Sequence, residues 1–390
     1  MFCTTPIPAH DSFYAGGTPV PPFQVGGALT APSEPGTVIR ARRVRLAGPL
    51  RGTGWQLAYI SNDLHRRSEV AVTTVIVPPG AVRGIVSFQC AIDSVASRCA
   101  PSYALRAGTR SWGALAPVEA PLIRAALRRG WIVSVPDHGG VDGHFGAPRE
   151  PGYRALDGLR AVRGFGPLAV GADVPMALWG YSGGGLATVW AAESAPLYAP
   201  ELALVGAAAG APVGDPGATL LRLNSGLFAG FPMVFIAGLL RTYPQMEDVA
   251  EYHVSPQFRR RIAAAADYST IEALVKLCGT DIRRHLRHGL PAFLEDPRVV
   301  AVLADIRPGQ SAPTAPLFIQ QGVCDEVIAV ADVDALVARY RDHGAEVAYR
   351  RVPRGLHLQL EFATARPALD WLEVKAADAS SRRGPTAVSR

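Results

Sequence analysis

Short apolar runs alternate with segments of helical periodicity along most of this 390-residue chain, and this alternation constrains the fold more than any other feature. The runs are rich in β-branched residues and close at turn residues, whereas the segments between them are amphipathic. Strands that alternate with helices predict a mostly parallel sheet covered by helices on both faces. The predicted strands lie at 69–80, 83–93, 131–137, 174–180 and 346–353, and a strand followed by a loop is predicted at 315–326. The predicted helices lie at 113–130, 152–165, 185–195, 330–345 and 360–374.

The alternation stops between residues 213 and 305, where the pattern is mostly helical and includes the apolar stretch GLFAGFPMVFIAGLL. We interpret residues 213–305 as a helical cap or lid inserted into an α/β core, because the strand–helix pattern resumes after it. The α/β core is predicted to cover 46–212 and 306–375. Residues 1–45, rich in Pro and Gly, are predicted to form an irregular arm, and residues 376–390 a disordered polar tail.

Composition and charge argue against several classes of partner. The net charge of +6 comes almost entirely from arginine, and no basic run with interleaved aromatic residues occurs, so nucleic acid is not expected as a partner. No window reaches the roughly 18 apolar residues that a membrane-spanning helix needs. The five cysteines lack CxxC spacing, so no zinc site is expected.

The first residues, MFCTTPIPAHDSFYAGG, lack the basic region and the apolar core of a signal peptide. As the chain stands, we expect a cytoplasmic protein. A leader trimmed from a secreted precursor is the alternative, and an oxidising compartment would then permit one disulfide.

Ser182 is the candidate nucleophile, in the stretch MALWGYSGGG at 176–185. A predicted strand precedes it and a predicted helix follows it, and the glycines beside it permit the strained turn that exposes a serine hydroxyl at the end of a sheet. The alternative is a Gly-rich turn without chemistry. A serine hydroxyl is a poor nucleophile without a base, so a catalytic Ser182 requires a histidine and an acid elsewhere in the chain.

Asp325 and His357 are the candidate partners of this serine. Asp325 follows a predicted strand, with Glu326 as the neighbouring alternative, and His357 lies in the loop before the last helix. The chain order Ser, Asp, His is that of α/β-hydrolase triads. The segment PDHGGVDGHFG at 136–146 also carries acidic and histidine side chains, but it lacks the helical spacing of a metal site such as HExxH.

Acyl transfer also needs donors for a developing oxyanion. We expect one from the N–H of Gly183 and the other from the main chain of Asp93, in the loop after the strand that ends near Cys90. A buried structural carboxylate is the alternative interpretation of Asp93. Because nucleophile and base both come from the protein, no cofactor is expected.

Several motifs together resemble those of the secretory lipase family, α/β-hydrolases with a large helical cap. They are DS…CAPSY at 93–103, GYSGG at 180–184, CDE at 324–326 and GLH at 355–357. The resemblance implies an α/β-hydrolase fold, a Ser182–Asp325–His357 triad, and an oxyanion hole formed by Asp93 and Gly183. It also implies a disulfide between Cys99 and Cys278, and secretion of a form that carries a leader.

The predicted function is hydrolysis of carboxylic esters, as a lipase or esterase that acts on a small-molecule ester or lipid. Phe228, Phe231 and Phe235 in the predicted cap are candidates for the lining of an acyl pocket or lid, with packing of the cap core as the alternative. An acyltransferase or deacetylase of a natural product would use the same triad. A catalytically silent binding protein of this fold is the third hypothesis.

Overall fold

The structure is a computed structural model that describes residues 5–15, 34–171 and 173–382. Its strands are β1 (Val38–Val44), β2 (Thr53–Asn62), β3 (Ser68–Val77), β4 (Gly84–Gln89), β5 (Trp131–Pro136), β6 (Met176–Tyr181), β7 (Leu204–Gly210), β8 (Leu317–Gly322) and β9 (Val347–Val352). Within the described residues these nine strands form one sheet in the order β1-β2-β3-β5-β4-β6-β7-β8-β9. The first three strands are antiparallel, β3 pairs antiparallel with β5, and the other pairs are parallel.

The α-helices within the described residues cover both faces of this sheet or belong to an insertion between β7 and β8. They are α1 (Pro101–Ala104), α2 (Ala120–Arg128), α3 (Glu150–Gly164), α4 (Gly183–Tyr198), α5 (Pro216–Leu223), α6 (Gly230–Thr242), α7 (Gln245–His253), α8 (Pro256–Ala265), α9 (Thr270–Lys276), α10 (Gly289–Leu294), α11 (Pro297–Asp305), α12 (Val330–Asp342), α13 (His357–Ala363) and α14 (Ala365–Arg382). Together with the mostly parallel sheet, they confirm the predicted α/β-hydrolase fold class.

The central strands are buried on both faces, as parallel strands between helices require. Ile85 of β4 belongs to the same apolar cluster as Leu159 of α3. The next residue, Val86, points to the opposite face and belongs to a cluster with Ile123 of α2 and Leu369 of α14. Consecutive residues of one strand therefore contribute to two separate cores.

The prediction of an irregular arm over residues 1–45 is wrong for its last part, because β1 pairs along its length with β2. The Pro- and Gly-rich residues lie mostly before this strand, whereas VIRARRV has the extended pattern of an edge strand. Its arginines obscure the pattern, but Arg42 lies 4.0 Å over the ring of Phe13 and Arg43 lies 5.0 Å over the ring of Trp55. Residues 16–33 of the predicted arm lie outside the described residues.

The prediction of a disordered tail from residue 376 is also wrong up to residue 382, where α14 ends. Ala376 is buried against the α2 side of the sheet, and the hydroxyl of Ser380 donates to its carbonyl oxygen at 2.9 Å, so the helix continues past the predicted boundary. Residues 383–390 lie outside the described residues.

Both outer strands of the sheet carry arginine side chains. Arg43 of β1 is exposed, as are Arg350 and Arg351 of β9. On β9 the alternate residues Val347 and Tyr349 pack inward instead. Exposed arginines therefore lie on both outer strands, with Arg43 over the ring of Trp55 and Arg351 bonded to Asp334.

Helices α5 to α11 lie between β7 and β8 and form a helical insertion with apolar clusters of its own. Met233 of α6 packs in one cluster with Phe258 of α8. Leu239, also on α6, belongs to a second cluster with Val249 of α7 and Val302 of α11. Helix α6 is therefore the element around which the insertion is built.

Candidate active site

Ser182 lies at the sharp turn between β6 and α4, where its main chain adopts a φ of 54° and a ψ of −120°. A positive φ is uncommon for a residue with a side chain. The turn also needs its glycines, because a Cβ atom on Gly184 would lie 1.9 Å from the carbonyl oxygen of Gln89. The strand–turn–helix arrangement around Ser182 is that of a nucleophile elbow.

The imidazole of His357 lies within hydrogen-bonding distance of both Ser182 and Asp325. Its Nε2 is 2.8 Å from Oγ of Ser182, and its Nδ1 is 2.8 Å from Oδ2 of Asp325. His357 is the first residue of α13 and Asp325 follows β8, so three separate elements bring the three side chains together. In this arrangement an imidazole can accept the proton of a serine hydroxyl while a carboxylate fixes its orientation.

Asp325 is held firmly in this position. Its Oδ1 accepts hydrogen bonds from the N–H groups of Val327 and Ile328, both at 2.8 Å, which leaves Oδ2 for the imidazole. Burial acts to raise the pKa of Asp325, but the hydrogen bond and charge of His357, together with the two N–H groups, outweigh it and lower the pKa. Asp325 is therefore the ionised partner of the histidine.

Glu326, the neighbouring alternative, has a different contact. Its carboxylate accepts a hydrogen bond from the main-chain N–H of His357 at 2.9 Å, whereas the imidazole points to Asp325. The structure therefore separates the two acids, with Asp325 on the side chain of the histidine and Glu326 on its main chain.

Asp93 and Gly183, the predicted oxyanion-hole residues, lie side by side next to Ser182. A Cβ atom on Gly183 would lie 2.0 Å from Oδ1 of Asp93, so only glycine allows this approach. The carbonyl oxygen of Asp93 accepts a hydrogen bond from the hydroxyl of Thr270 on α9 at 3.2 Å. Burial raises the pKa of Asp93 to about 7, against the lowering effect of His357.

The loop that carries Asp93 has two further anchors that the sequence did not indicate. The N–H of Ala91 donates to both carboxyl oxygens of Glu119, each at 3.1 Å. The carbonyl oxygen of Cys90 lies 2.7 Å from Nε2 of His138, and burial lowers the pKa of His138 to about 4. A neutral imidazole therefore donates to this carbonyl. In the sequence, the segment that contains His138 suggested only a metal site.

An apolar cavity of about 50 Å³ opens beside Ser182. Phe231 and Phe235 of α6 line it, whereas Phe228 is outside the lining and stacks on Phe231, with 6.2 Å between ring centroids. Most of its other lining was not predicted, because it comes from residues that are apolar without any distinctive motif. These residues are Phe145, Leu186, Val213, Pro216, Thr219, Leu220, Leu223, Pro232, Val327 and Ile328.

The disulfide implied by the family resemblance is not formed. Cys99 is a free thiol buried in the cluster that contains Leu105, and Cys278 is a free thiol exposed to solvent after α9. The two sulfur atoms thus face different environments, one the core and the other water.

The acidic and histidine side chains at 136–146 bind separate partners. Oδ1 of Asp137 accepts a hydrogen bond from the N–H of Ser102 at 2.8 Å, and Nδ1 of His144 lies 2.9 Å from Oε2 of Glu150. Over the described ranges, no group of three His, Cys, Asp or Glu side chains is arranged to hold a metal ion. None of the helices described is long and apolar enough to cross a membrane.

Comparisons with known proteins agree on one family for this chain. The profile of the secretory lipase family matches residues 106–383. A probable inactive lipase of Mycobacterium tuberculosis (strain CDC 1551 / Oshkosh) is 41% identical over 374 residues, which cover 94% of this chain and 82% of that protein. A trichothecene C-3 esterase of Fusarium sporotrichioides is 33% identical over 389 residues, which cover 92% and 85%.

The fold has a close counterpart among solved structures. The X-ray structure of Candida antarctica lipase A in its closed state superposes with a TM-score of 0.86 and 26% sequence identity, over 97% of this chain and 88% of that one. Sequence profile, relatives and structure therefore agree with the motifs of the sequence. This chain belongs to the secretory lipase family of α/β-hydrolases, whose enzymes are carboxylic-ester hydrolases.

Proposed function

We propose that this protein hydrolyses carboxylic esters through a Ser182–His357–Asp325 triad and an acyl-enzyme intermediate. The observation that carries the proposal is the pair of 2.8 Å contacts that His357 makes with Ser182 and Asp325. One relative is named a probable inactive lipase. The unbroken set of contacts in this chain supports activity here.

The first half of the proposed reaction transfers the acyl group to the enzyme. Oγ of Ser182 attacks the ester carbonyl while Nε2 of His357 takes its proton, and Asp325 stabilises the imidazolium. The main-chain N–H groups of Gly183 and Asp93 stabilise the oxyanion of the tetrahedral intermediate. The imidazolium then protonates the leaving alcohol as the C–O bond breaks, which leaves the acyl group on Ser182.

The second half returns the enzyme to its starting state. His357 takes a proton from water, and the resulting oxygen nucleophile attacks the acyl carbonyl. The tetrahedral intermediate collapses, the carboxylic acid leaves, and Oγ of Ser182 regains the proton from the imidazolium.

The apolar cavity beside Ser182 suits the acyl chain of an ester. Its lining is almost entirely carbon, and α5 and α6 of the helical insertion supply much of it. An apolar chain gains about 0.8 kcal/mol for each buried CH₂ group. The insertion would then act as a cap over the serine, in agreement with the predicted cap at 213–305.

An alternative is the same acyl-enzyme serving a natural product, as a deacetylase or an acyltransferase. The relative named trichothecene C-3 esterase supports this alternative. A deacetylase would favour acetate over long acyl chains. An acyltransferase would pass the acyl group from Ser182 to an alcohol in place of water.

The test is hydrolysis of p-nitrophenyl esters from acetate to palmitate by the wild type and by Ser182→Ala. Loss of the hydroxyl should lower kcat by a factor on the order of 10⁶. Ser194→Ala is the matched control, because Ser194 lies on α4, the helix that follows Ser182, and its hydroxyl has no hydrogen-bond partner among the described residues. A rising preference for longer chains supports a lipase, acetate preference supports a deacetylase, and a folded wild type inactive on every ester contradicts the proposal.

A further inference from the structure

Two buried glutamates lie beneath the candidate active site and contact each other. Glu119, which is 1% exposed, immediately precedes α2, and Glu361, which is 7% exposed, lies on α13. Their side chains are hydrogen bonded. The contact joins two elements that are far apart in the sequence.

Each glutamate is attached to a different part of the site. Glu119 accepts the N–H of Ala91 with both carboxyl oxygens, at 3.1 Å each, and so holds the loop that leads to Asp93. Glu361 lies one helical turn after His357, so the same short helix carries the imidazole and the second carboxyl. The pair therefore connects the oxyanion side of the site to the base side.

Two carboxyl groups in contact cannot both ionise in a buried environment, so they share a proton. No arginine or lysine among the described residues compensates either group, and Oε1 of Glu361 has no hydrogen-bond partner. Burial raises the pKa of both carboxyls, and the charge of Glu361 adds to the shift at Glu119. The titratable groups that interact with the pair are Cys90, Asp93, Tyr181 and His357, and none of them is a permanent cation.

We propose that Glu119 and Glu361 are positioning residues, a proton-sharing carboxyl bridge that fixes the Asp93 loop relative to the helix that carries His357. This inference rests on the proposed function, because it assigns the bridge to the geometry between the oxyanion donors and the base. Loss of the shared proton places two negative charges in contact. Repulsion then separates the two elements, and the activity falls at alkaline pH.

The two isosteric amide variants should differ, because the remaining carboxyl sits at a different distance from the histidine. In Glu119→Gln the charge stays on Glu361, which interacts with His357, and it stabilises the imidazolium. In Glu361→Gln the charge stays on Glu119, away from His357. Glu119→Gln should therefore retain a higher kcat than Glu361→Gln, by about twofold, because the remaining charge stabilises the imidazolium that forms during catalysis.

The amide and alanine variants should also differ in rate. Glu361→Gln keeps a donor to Glu119 without a titrating proton, so kcat near neutral pH should stay within about threefold, and the alkaline fall should disappear. Glu361→Ala removes the bridge and should lower kcat about tenfold with little change in KM. Glu193→Gln is the control, because this buried carboxyl also accepts main-chain N–H groups, those of Gly309 and Gln310, but lies away from the site.

The experiment measures kcat/KM for p-nitrophenyl butyrate from pH 4.5 to 9.5 in these variants, together with urea unfolding at each pH. Identical limbs in Glu119→Gln, Glu361→Gln and the wild type would overturn the positioning role. Loss of activity in proportion to loss of folded protein would also overturn it, as a structural role alone predicts.

The unfolding data keep this inference separate from the proposed function. A carboxyl pair whose folded pKa is raised stabilises the fold below its unfolded pKa, and this stabilisation is lost as the pH rises through the folded pKa. The stability of the wild type relative to Glu361→Gln should thus decrease as the pH rises above about 4.5. An inactive wild type that shows this decrease contradicts the proposed function but retains the bridge, whereas a flat difference contradicts the bridge itself.

Discussion

The hydroxyl of Tyr181 donates a hydrogen bond to the main-chain carbonyl of His357 at 2.8 Å. The last residue of β6 therefore holds the first residue of α13. Ser182 follows Tyr181 directly, so the serine and the histidine are linked through the main chain as well as through their side chains.

Replacing Tyr181 with Phe should loosen this link. We expect kcat to fall about fivefold with a smaller change in KM, and the free energy of unfolding to fall by about 1 kcal/mol, because a buried carbonyl loses one donor. Tyr349→Phe is the control, since that hydroxyl bonds Asp334 on the outer side of the sheet. Steady-state kinetics check this, and equal kcat values in the two variants would contradict it.

Kinetic measurements should distinguish the roles of Asp325 and Glu326. Asp325→Asn replaces the carboxylate that fixes the imidazole and should lower kcat by a factor on the order of 10⁴. Glu326→Gln should cost less than about tenfold, because its amide oxygen still accepts the main-chain N–H of His357. The comparison requires kcat for both variants at the pH optimum of the wild type. A larger loss in Glu326→Gln would reverse the assignment of the triad acid.

A charge in the apolar cavity should change the preference for acyl-chain length. Phe231→Asp places a carboxylate in the lining of the cavity. A long acyl chain that fills the cavity would desolvate this carboxylate, whereas an acetyl group would leave it hydrated, so the long chain is disfavoured more. We expect kcat/KM to fall about 100-fold for the palmitate ester and less than about fivefold for acetate. Leu227→Asp is the control, because Leu227 is 74% exposed on the same segment. Equal losses on both esters in Phe231→Asp would show that the chain does not lie there.

The contribution of Asp137 to the free energy of unfolding should decrease from acidic to neutral pH. Burial raises the pKa of Asp137 to about 7, above the value of about 3.9 in an unfolded chain. Its contribution is therefore complete below about pH 4 and decreases by up to about 1.4 kcal/mol per pH unit as the pH rises to 7. Urea unfolding of the wild type and Asp137→Asn between pH 4 and 8 measures this difference, and a difference that grows with pH would contradict it.

Asp63 provides a contrast for the same measurement. Burial acts to raise its pKa, but hydrogen bonds from Arg67 and His65 outweigh it and lower the pKa. The contribution of Asp63 should then be complete at neutral pH and decrease only as the pH falls below about 4. Asp63→Asn should leave the slope between pH 5 and 8 unchanged.

Six of the nine strands and the contacts of His357 could be predicted from sequence because they follow from local patterns, whereas β1, β2 and β7 were missed. Strand runs and helical spacing mark the α/β core, and loops that follow parallel strands meet at one edge of the sheet. Ser182 and Asp325 each follow a predicted strand, and this places them at that edge. The motif order then supplied the histidine.

Contacts between distant elements could not be predicted in this way. Nothing local distinguishes Glu119 or Glu361 from a solvated helix residue, and their contact exists only once α2 and α13 have packed. The pairing of Cys99 with Cys278 was carried over from the family, but whether two thiols meet depends on side-chain direction, which spacing does not encode. Phe228 stacks on Phe231 without lining the cavity, and the spacing of the two residues on one apolar segment does not reveal this difference.

The arginines on β1 and β9 have a consequence beyond the monomer. An open sheet presents unpaired N–H and C=O groups along its two outer strands, and these groups can recruit a strand from another copy. Arg43 on one edge and Arg350 on the other would face like charges in such a pairing, whereas the charge of Arg351 is balanced by Asp334. We expect Arg43 and Arg350 to disfavour edge-to-edge aggregation of the nine-stranded sheet that the described residues form.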